Sequence, residues 1–219
     1  MKAQGTLLNN QKLNDKISQR IIATFGEKAW AKLSEESKLC LISGSLALND
    51  MKQYSQLLDF SGACLQICKA VEVELTLRLF TEYVTYFKNK YGDEAEKKAP
   101  YDLLKYKDDK TKPKIFQEPS FVTIGNFRFF IGMTADGKII NKYAWREFSD
   151  YAQNALLIDP EQCEKTMAEH VQYITKIKDD YRNKSAHKST LDVVQATECY
   201  NYIIGQYRRL GVMLDDYRF

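Results

Sequence analysis

Asp59 to Gly92 reads DFSGACLQICKAVEVELTLRLFTEYVTYFKNKYG. Apolar residues fall at Ala63, Ile67, Ala70, Val73, Leu77, Phe80, Val84 and Phe87, in steps of three and four, and Cys64, Cys68, Val71, Leu75 and Leu79 widen the stripe. That period predicts a helix apolar over more than one face, central to a core. Asp59 or Ser61 can cap its start, and Gly92 can end it.

The same rhythm recurs on both sides. Ser18 to Ser34, SQRIIATFGEKAWAKLS, places Ile21, Ile22, Phe25, Ala29, Trp30 and Leu33 at helical spacing. Ser34-Glu-Glu-Ser starts another run through Leu39, Ile42 and Leu46, so residues 1–58 read as two or three modest helices. AWREFSDYAQNALL, Ala144 to Leu157, also reads as helix. Asp159-Pro160-Glu161-Gln162 is a helix start, with Asp at the cap, Pro in the first turn and Gln three residues on. Cys163, Met167, Val171, Ile174, Ile177 and Tyr181 continue it. Ser189 and Thr190 can cap a last helix with Asp192 in its first turn. Its seam, Val193, Ala196, Tyr200, Ile203, Tyr207 and Leu210, suits a bundle core or a helix-paired dimer. Ser120 to Tyr143 is two-sided. It forms either a hairpin around Ala135-Asp136-Gly137 or a helix from near Thr123 to Gly132.

Composition narrows the function classes. The 219 residues are 44% hydrophobic and 28% charged, which supports a sizeable core and argues against global disorder. The net charge of +3 permits contact with nucleic acid without requiring it. Residues 88–120 are dense in charge and punctuated by Pro100, Pro113 and Pro119. They read as a solvated insertion, either a plain loop or a basic edge against an RNA backbone. Five cysteines, at 40, 64, 68, 163 and 199, form no CxxC pair, and Cys64 and Cys68 have no matching ligand pair nearby. They read as small buried hydrophobes, with neither metal nor cofactor expected. The expected setting is soluble and cytoplasmic, because no apolar run approaches the length of a membrane span and MKAQGTLLNNQKLND lacks a secretory core. No P-loop or GxGxxG is present.

Between the last two helices lies YRNKSAH, Tyr181 to His187. It combines a fixed cation, an amide and one of only two histidines. In a continuous helix, Arg182 and His187 would lie about 140° apart. If the helix ends near Asn183 and the chain turns, they can converge.

At this point the chain resembles the HEPN-domain family. Those helical proteins carry Arg, a polar residue that is often Asn, a few more residues and then His at the end of one bundle helix. Arg182-Asn183-Lys184-Ser185-Ala186-His187 matches residue by residue. AVEVEL, Ala70 to Leu75, looks like the Ala-Leu-Glu-x-Glu-Leu segment of an early HEPN helix. TIGNF, Thr123 to Phe127, resembles a Thr-Leu-Gly segment found between the two, which favours the helical reading there. Tyr181 stands where Leu is frequent, and Ser185 where Ala is. The resemblance covers roughly 59–212 with 88–120 inserted, and residues 1–58 have no counterpart. It implies an all-α, HEPN-like helical bundle at 59–219, with extra N-terminal helices at 1–58.

It also implies a metal-independent endoribonuclease that cuts RNA by 2′-hydroxyl attack, acting as a toxin or an antiviral defence effector. Arg182, Asn183 and His187 would be catalytic. His187 moves protons, Arg182 holds the phosphoryl group through its planar donors, and Asn183 orients phosphate or imidazole. Lys184 would contact an adjacent phosphate or be a plain exposed cation. Tyr181, with Tyr207, would stack on bases or simply pack. Glu72 and Glu74 would orient Arg182 or be ordinary helix carboxylates. His170, mid-helix without a visible partner, reads as structural. One motif supplies one histidine, so a homodimer bringing two motifs into one cleft is expected. An inhibitory or activating protein partner is expected as well. The competing reading is a non-catalytic helical module that dimerises or binds nucleotide.

Overall fold

The computed structural model describes residues 2–52, 58–100, 123–187 and 190–218, with side chains except those of 2–12 and 52. The expected cap Ser189, and residues 101–120 of the charged segment, lie outside the described residues. The chain is all-α. Among the described residues no strand occurs, and β pairing is confined to the isolated antiparallel bridges Met133–Ile139 and Leu157–Tyr217.

In chain order α1 is Lys2–Phe25, α2 Glu27–Lys32, α3 Glu35–Lys52 and α4 Ser61–Glu74. α4 runs on through a π segment, Leu75–Thr81, into α5, Glu82–Tyr91. The short α6, Ala95–Lys98, and α7, Phe127–Ile131, precede α8, Lys142–Tyr151, whose end Ala152–Leu156 is again π. α9, Cys163–Lys176, continues through a π segment, Ile177–Arg182, into α10, Asn183–Ala186. α11 is Val193–Ile203 and α12 Arg209–Asp215. The chain divides into two compact units, Met1–Val71 with Asp179–Asp215 and Glu72–Lys178 with Asp216–Phe219.

In the first unit α1 packs on α2 and α3, α3 on α11, and α12 on both α2 and α11. Ile21, Phe25, Leu41, Ile67, Cys199 and Ile203 are fully buried between them. The rhythm over Ser18 to Ser34 is broken at Gly26, whose φ of 95° turns the chain so that Phe25 and Trp30 meet edge to face at 6.5 Å. The last seam is likewise two helices, not one. Ile204 and Gly205 both donate to the Tyr200 carbonyl, Arg208 takes a φ of 38°, and Tyr207 is left exposed. Lys32 donates to the Leu214 carbonyl at 2.6 Å, where α12 ends and carbonyls lack helical partners. The cap of α11 is Asp192, in a reciprocal box with Gln195, rather than Ser189 or Thr190.

In the second unit the π segment changes which face of the long helix is buried. A π turn holds one residue more than an α turn, so the pattern slips in phase. Leu77, expected in the stripe, is 40% exposed, while Leu75, Leu79, Phe80, Tyr83, Val84 and Phe87 are buried. Tyr83 meets Phe148 at 5.2 Å and Tyr151 at 5.4 Å between ring centroids, and the Tyr151 hydroxyl donates to the Arg78 carbonyl at 2.6 Å. Ser120 to Tyr143 resolves into parts of both readings over its described residues. A short helix ends at Gly132 in the left-handed region, then a tight turn over Thr134 to Lys138 leads into α8, capped by Asn141. The first part of the expected charged insertion is also ordered differently. α5 extends to Tyr91, and Ala95, Ala99 and Pro100 are buried.

Helix α3 approaches α4 closely. A Cβ on Gly44 would sit 2.6 Å from Ile67 Cγ1 and 2.9 Å from the Ala63 carbonyl oxygen. Gly44→Ala gains about 1 kcal/mol of helix propensity, whereas overpacking costs about 1–3 kcal/mol. Because one obstacle is backbone, the clash should win. We expect a lower urea midpoint for Gly44→Ala, and a raised midpoint would mean the helices do not approach so closely.

Candidate functional site

YRNKSAH sits at the C-terminal end of the longest uninterrupted helical run after Asp159. Asp159 accepts from the Glu161 amide and Pro160 occupies the first turn, as expected. The helix does not stop near Asn183, so the turn expected there to bring Arg182 and His187 together is not formed. The helix continues to Ala186, and His187 is its C-cap, donating its amide to the Asn183 carbonyl at 3.1 Å and leaving the helix at φ −126°, ψ 96°. The motif therefore spans the junction of the π segment with the final α turn.

Burial divides the motif. Tyr181 is 6% exposed, and its ring lies 5.9 Å from that of Tyr202, which in turn meets Tyr207. This is packing rather than a presented stacking face. Burial also pushes the Tyr181 phenol well up, so it stays neutral. Arg209 lies over the rings of Tyr202 and Tyr207, at 5.9 and 5.8 Å, and the exposed ring of Tyr207 closes the cluster. Arg182 and Asn183 are half-buried, whereas Lys184 and His187 are exposed. Ser185 faces inward. Its hydroxyl donates to the Tyr181 carbonyl at 2.7 Å. Cys64, Cys68 and Cys199 form a fully buried thiol cluster, in which hydrogen bonds to Cys64 and Cys68 together with burial push the Cys199 thiol far up. Hydrogen bonding to Cys199 holds the Cys64 thiol below its usual value, and all three thiols lie out of reach of solvent. Among the described residues no group of His, Cys, Asp or Glu is arranged to hold a metal ion.

The segment after the motif is tied to α4. Leu191 is buried, and its amide donates to Asp59 Oδ1 at 3.1 Å and Ser61 Oγ at 3.2 Å. Its carbonyl accepts from the Phe60 amide at 2.9 Å. Asp59 Oδ1 also accepts from the amide and hydroxyl of Ser61, at 2.9 and 2.6 Å, and these bonds hold its carboxyl below the usual range. Glu72 and Glu74 belong to the other unit from Arg182. Glu74 is buried there and pairs with Arg78 at 3.4 Å.

Two polar clusters of the second unit went unread in the sequence. His170 is 1% exposed, with Nε2 2.9 Å from Asp216 and Nδ1 3.2 Å from the Tyr217 hydroxyl. The carboxylate only accepts, so Nε2–H donates to Asp216, and Nδ1 is left to the Tyr217 hydroxyl. The histidine expected to have no visible partner thus fastens the C-terminal segment, and Arg218 further caps α8 by donating to the carbonyls of Asn154, at 2.9 Å, and Leu157. Its position on the apolar stripe, between Met167 and Ile174, was the available signal, since a buried imidazole requires partners. The second cluster centres on Glu147, 2% exposed, which accepts from Tyr91 at 2.7 Å, Arg146 at 2.8 Å and Lys90 at 3.1 Å. Burial raises its carboxyl, but these donors outweigh it and hold it below the usual range. Asp150, one turn on, takes Lys90 at 2.8 Å and Tyr86 at 2.9 Å. Every carboxylate here is engaged, which fits a strut between α5 and α8 better than acid–base work.

No family model, no curated protein and no solved structure matches this chain. No helix among the described residues is long and apolar enough to cross a membrane.

Asp59→Ala should remove the tie between α4 and Leu191. The expected loss is about 1 kcal/mol, the usual cost of a lost cap. Since the folded carboxyl is lowered, its contribution is complete above the unfolded value near pH 4 and fades as pH falls through the folded value. Urea midpoints at pH 7 and at about pH 3 check this, and equal wild-type and variant midpoints at pH 7 would remove Asp59 from the account.

Proposed function

We propose that the chain is a metal-independent endoribonuclease of the HEPN type, acting as a homodimer, with Arg182, Asn183 and His187 as its catalytic residues. The observation carrying the reading is the joint placement of these groups at one helix end, polar and at least partly accessible, above the inward-facing Tyr181 and Ser185.

His187 takes the proton of a ribose 2′-hydroxyl, and that oxygen attacks the adjacent phosphorus. The bond from phosphorus to the 5′-oxygen breaks, leaving a 2′,3′-cyclic phosphate and a 5′-hydroxyl. The second chain's histidine supplies the proton to the leaving oxygen. Arg182 meets the charge that builds on the phosphorane with two parallel N–H donors, which a lysine cannot reproduce. Asn183 fixes the phosphate or the imidazole by hydrogen bonds, and Lys184 holds a neighbouring phosphate. A free enzyme of this kind would damage its own cell, which favours a toxin or defence role under the control of a protein partner.

The test is cleavage of a labelled single-stranded RNA by the purified chain in EDTA. Wild type should yield cyclic phosphate ends. His187→Ala should lose about 10²- to 10⁴-fold in rate, Arg182→Ala about 10²- to 10³-fold, and Arg182→Lys should stay impaired. No cleavage by folded, dimeric wild type would move the reading to a non-catalytic helical module, and cleavage surviving His187→Ala would remove the motif from the chemistry.

A further inference from the structure

The first unit holds a second candidate site, apart from YRNKSAH. A cleft of about 150 Å³ lies between α1, α3 and Tyr200 of α11. Ile17, Ile21 and Leu48 form its apolar floor, each at most 5% exposed. Ser45 also lines it, is 2% exposed, and its hydroxyl has no hydrogen-bond partner among the described residues.

That orphan hydroxyl stands out against the chain's own habit. Thr24, Thr76, Thr85, Ser185 and Thr197 all sit in helices and donate to the carbonyl four residues back. Ser45 does not, though a buried hydroxyl is costly to leave unpaired. Around it stand Arg20, an exposed cation, Asn49, an exposed amide, and Tyr200. Burial raises the Tyr200 phenol while the nearby Arg20 charge draws it back, so the phenol remains a donor. The cleft thus presents several donors and a single fixed positive charge above aliphatic walls. A cavity of about 150 Å³ holds a benzene-sized guest.

We propose that this cleft binds a small monocarboxylate with a compact apolar body. The body lies on Ile17, Ile21 and Leu48, and the carboxylate accepts from Arg20 and Ser45, beside Tyr200. A binding site for an anion of this size makes the first unit responsive to a metabolite class, independently of whether YRNKSAH cleaves RNA.

The probe is benzoate, with benzylamine as its charge-reversed counterpart, titrated into the full chain by calorimetry and followed by thermal melting. Benzoate should bind with a Kd on the order of 1 mM and raise the melting temperature, and benzylamine should do neither. Arg20→Ala and Ser45→Ala should each weaken benzoate about tenfold. Ser45→Ala should leave the ligand-free melting temperature unchanged or higher, because it removes an unpaired hydroxyl. That separates lost binding from lost folding. Equal binding of benzoate and benzylamine, benzoate binding unaffected by both substitutions, or no binding by the folded chain would each overturn the proposal.

Discussion

One carboxylate ties together segments that lie 132 residues apart. Asp59 receives the amide and hydroxyl of Ser61 and the amide of Leu191. The first two bonds start α4, the helix whose stripe organises the core. The third pins the segment that leaves YRNKSAH. Both tasks rest on one oxygen because an N-terminal helix turn offers unpaired donors, and Leu191, buried beside it, brings another. A neutral side chain could cap α4, but an anion also meets the positive end of the helix dipole. The place where α4 begins therefore also fixes where Leu191 sits.

A second constraint is the π geometry inside both long helices. Leu75–Thr81 interrupts the run from α4 to α5, and Ile177–Arg182 interrupts the run from α9 to α10. Each inserts a residue relative to a regular helix, so the faces on either side are out of phase. In the first case the slip turns Leu77 outward and brings Tyr83 in. In the second, Arg182 is the last π residue and Asn183 the first of the final α turn. Such bulges are frequent at functional sites because they re-aim side chains without breaking the helix. Here the change of pitch falls within the motif itself.

The fold class was legible because helical periodicity is a property of neighbouring residues. The stripe from Ala63 to Phe87, the Asp159-Pro160 start and the caps at Asp59 and Gly92 all depend on a few positions along one segment. What escaped is what depends on geometry rather than composition. A π turn leaves no mark in residue type, so Leu77 looked like a core residue. The seam through Tyr207 kept perfect spacing across a break that opens at Ile204 and Gly205 and includes the positive φ of Arg208. The true cap of α11 was visible as Asp192 with Gln195 three residues on, but it competed with the hydroxyls just before it. Partners far along the chain were beyond local reading. Asp216 and Tyr217 could not be assigned to His170, nor Lys90 and Tyr91 to Glu147. Within the candidate site the polar residues were legible as a set, and the division between inward and outward members was not.

On the proposed reading, that division sets the motif apart from a plain polar connector. A connector needs no buried anchors, because solvent can satisfy every group of a short loop. YRNKSAH instead has Tyr181 sunk against Tyr202 and Ser185 bonded to the Tyr181 carbonyl, while Leu191 is fastened just beyond it. The helix end is held from inside by an aromatic ring and a hydroxyl, so Arg182, Asn183 and Lys184 are carried on a helix, with His187 at its cap, rather than on a loop. Groups meant to meet a phosphate gain most from such support, since electrostatic stabilisation depends on donors that do not have to reorganise. The anchoring and the proposed chemistry thus ask for the same arrangement, with apolar and small polar residues inward and the cation, amide and imidazole at the edge.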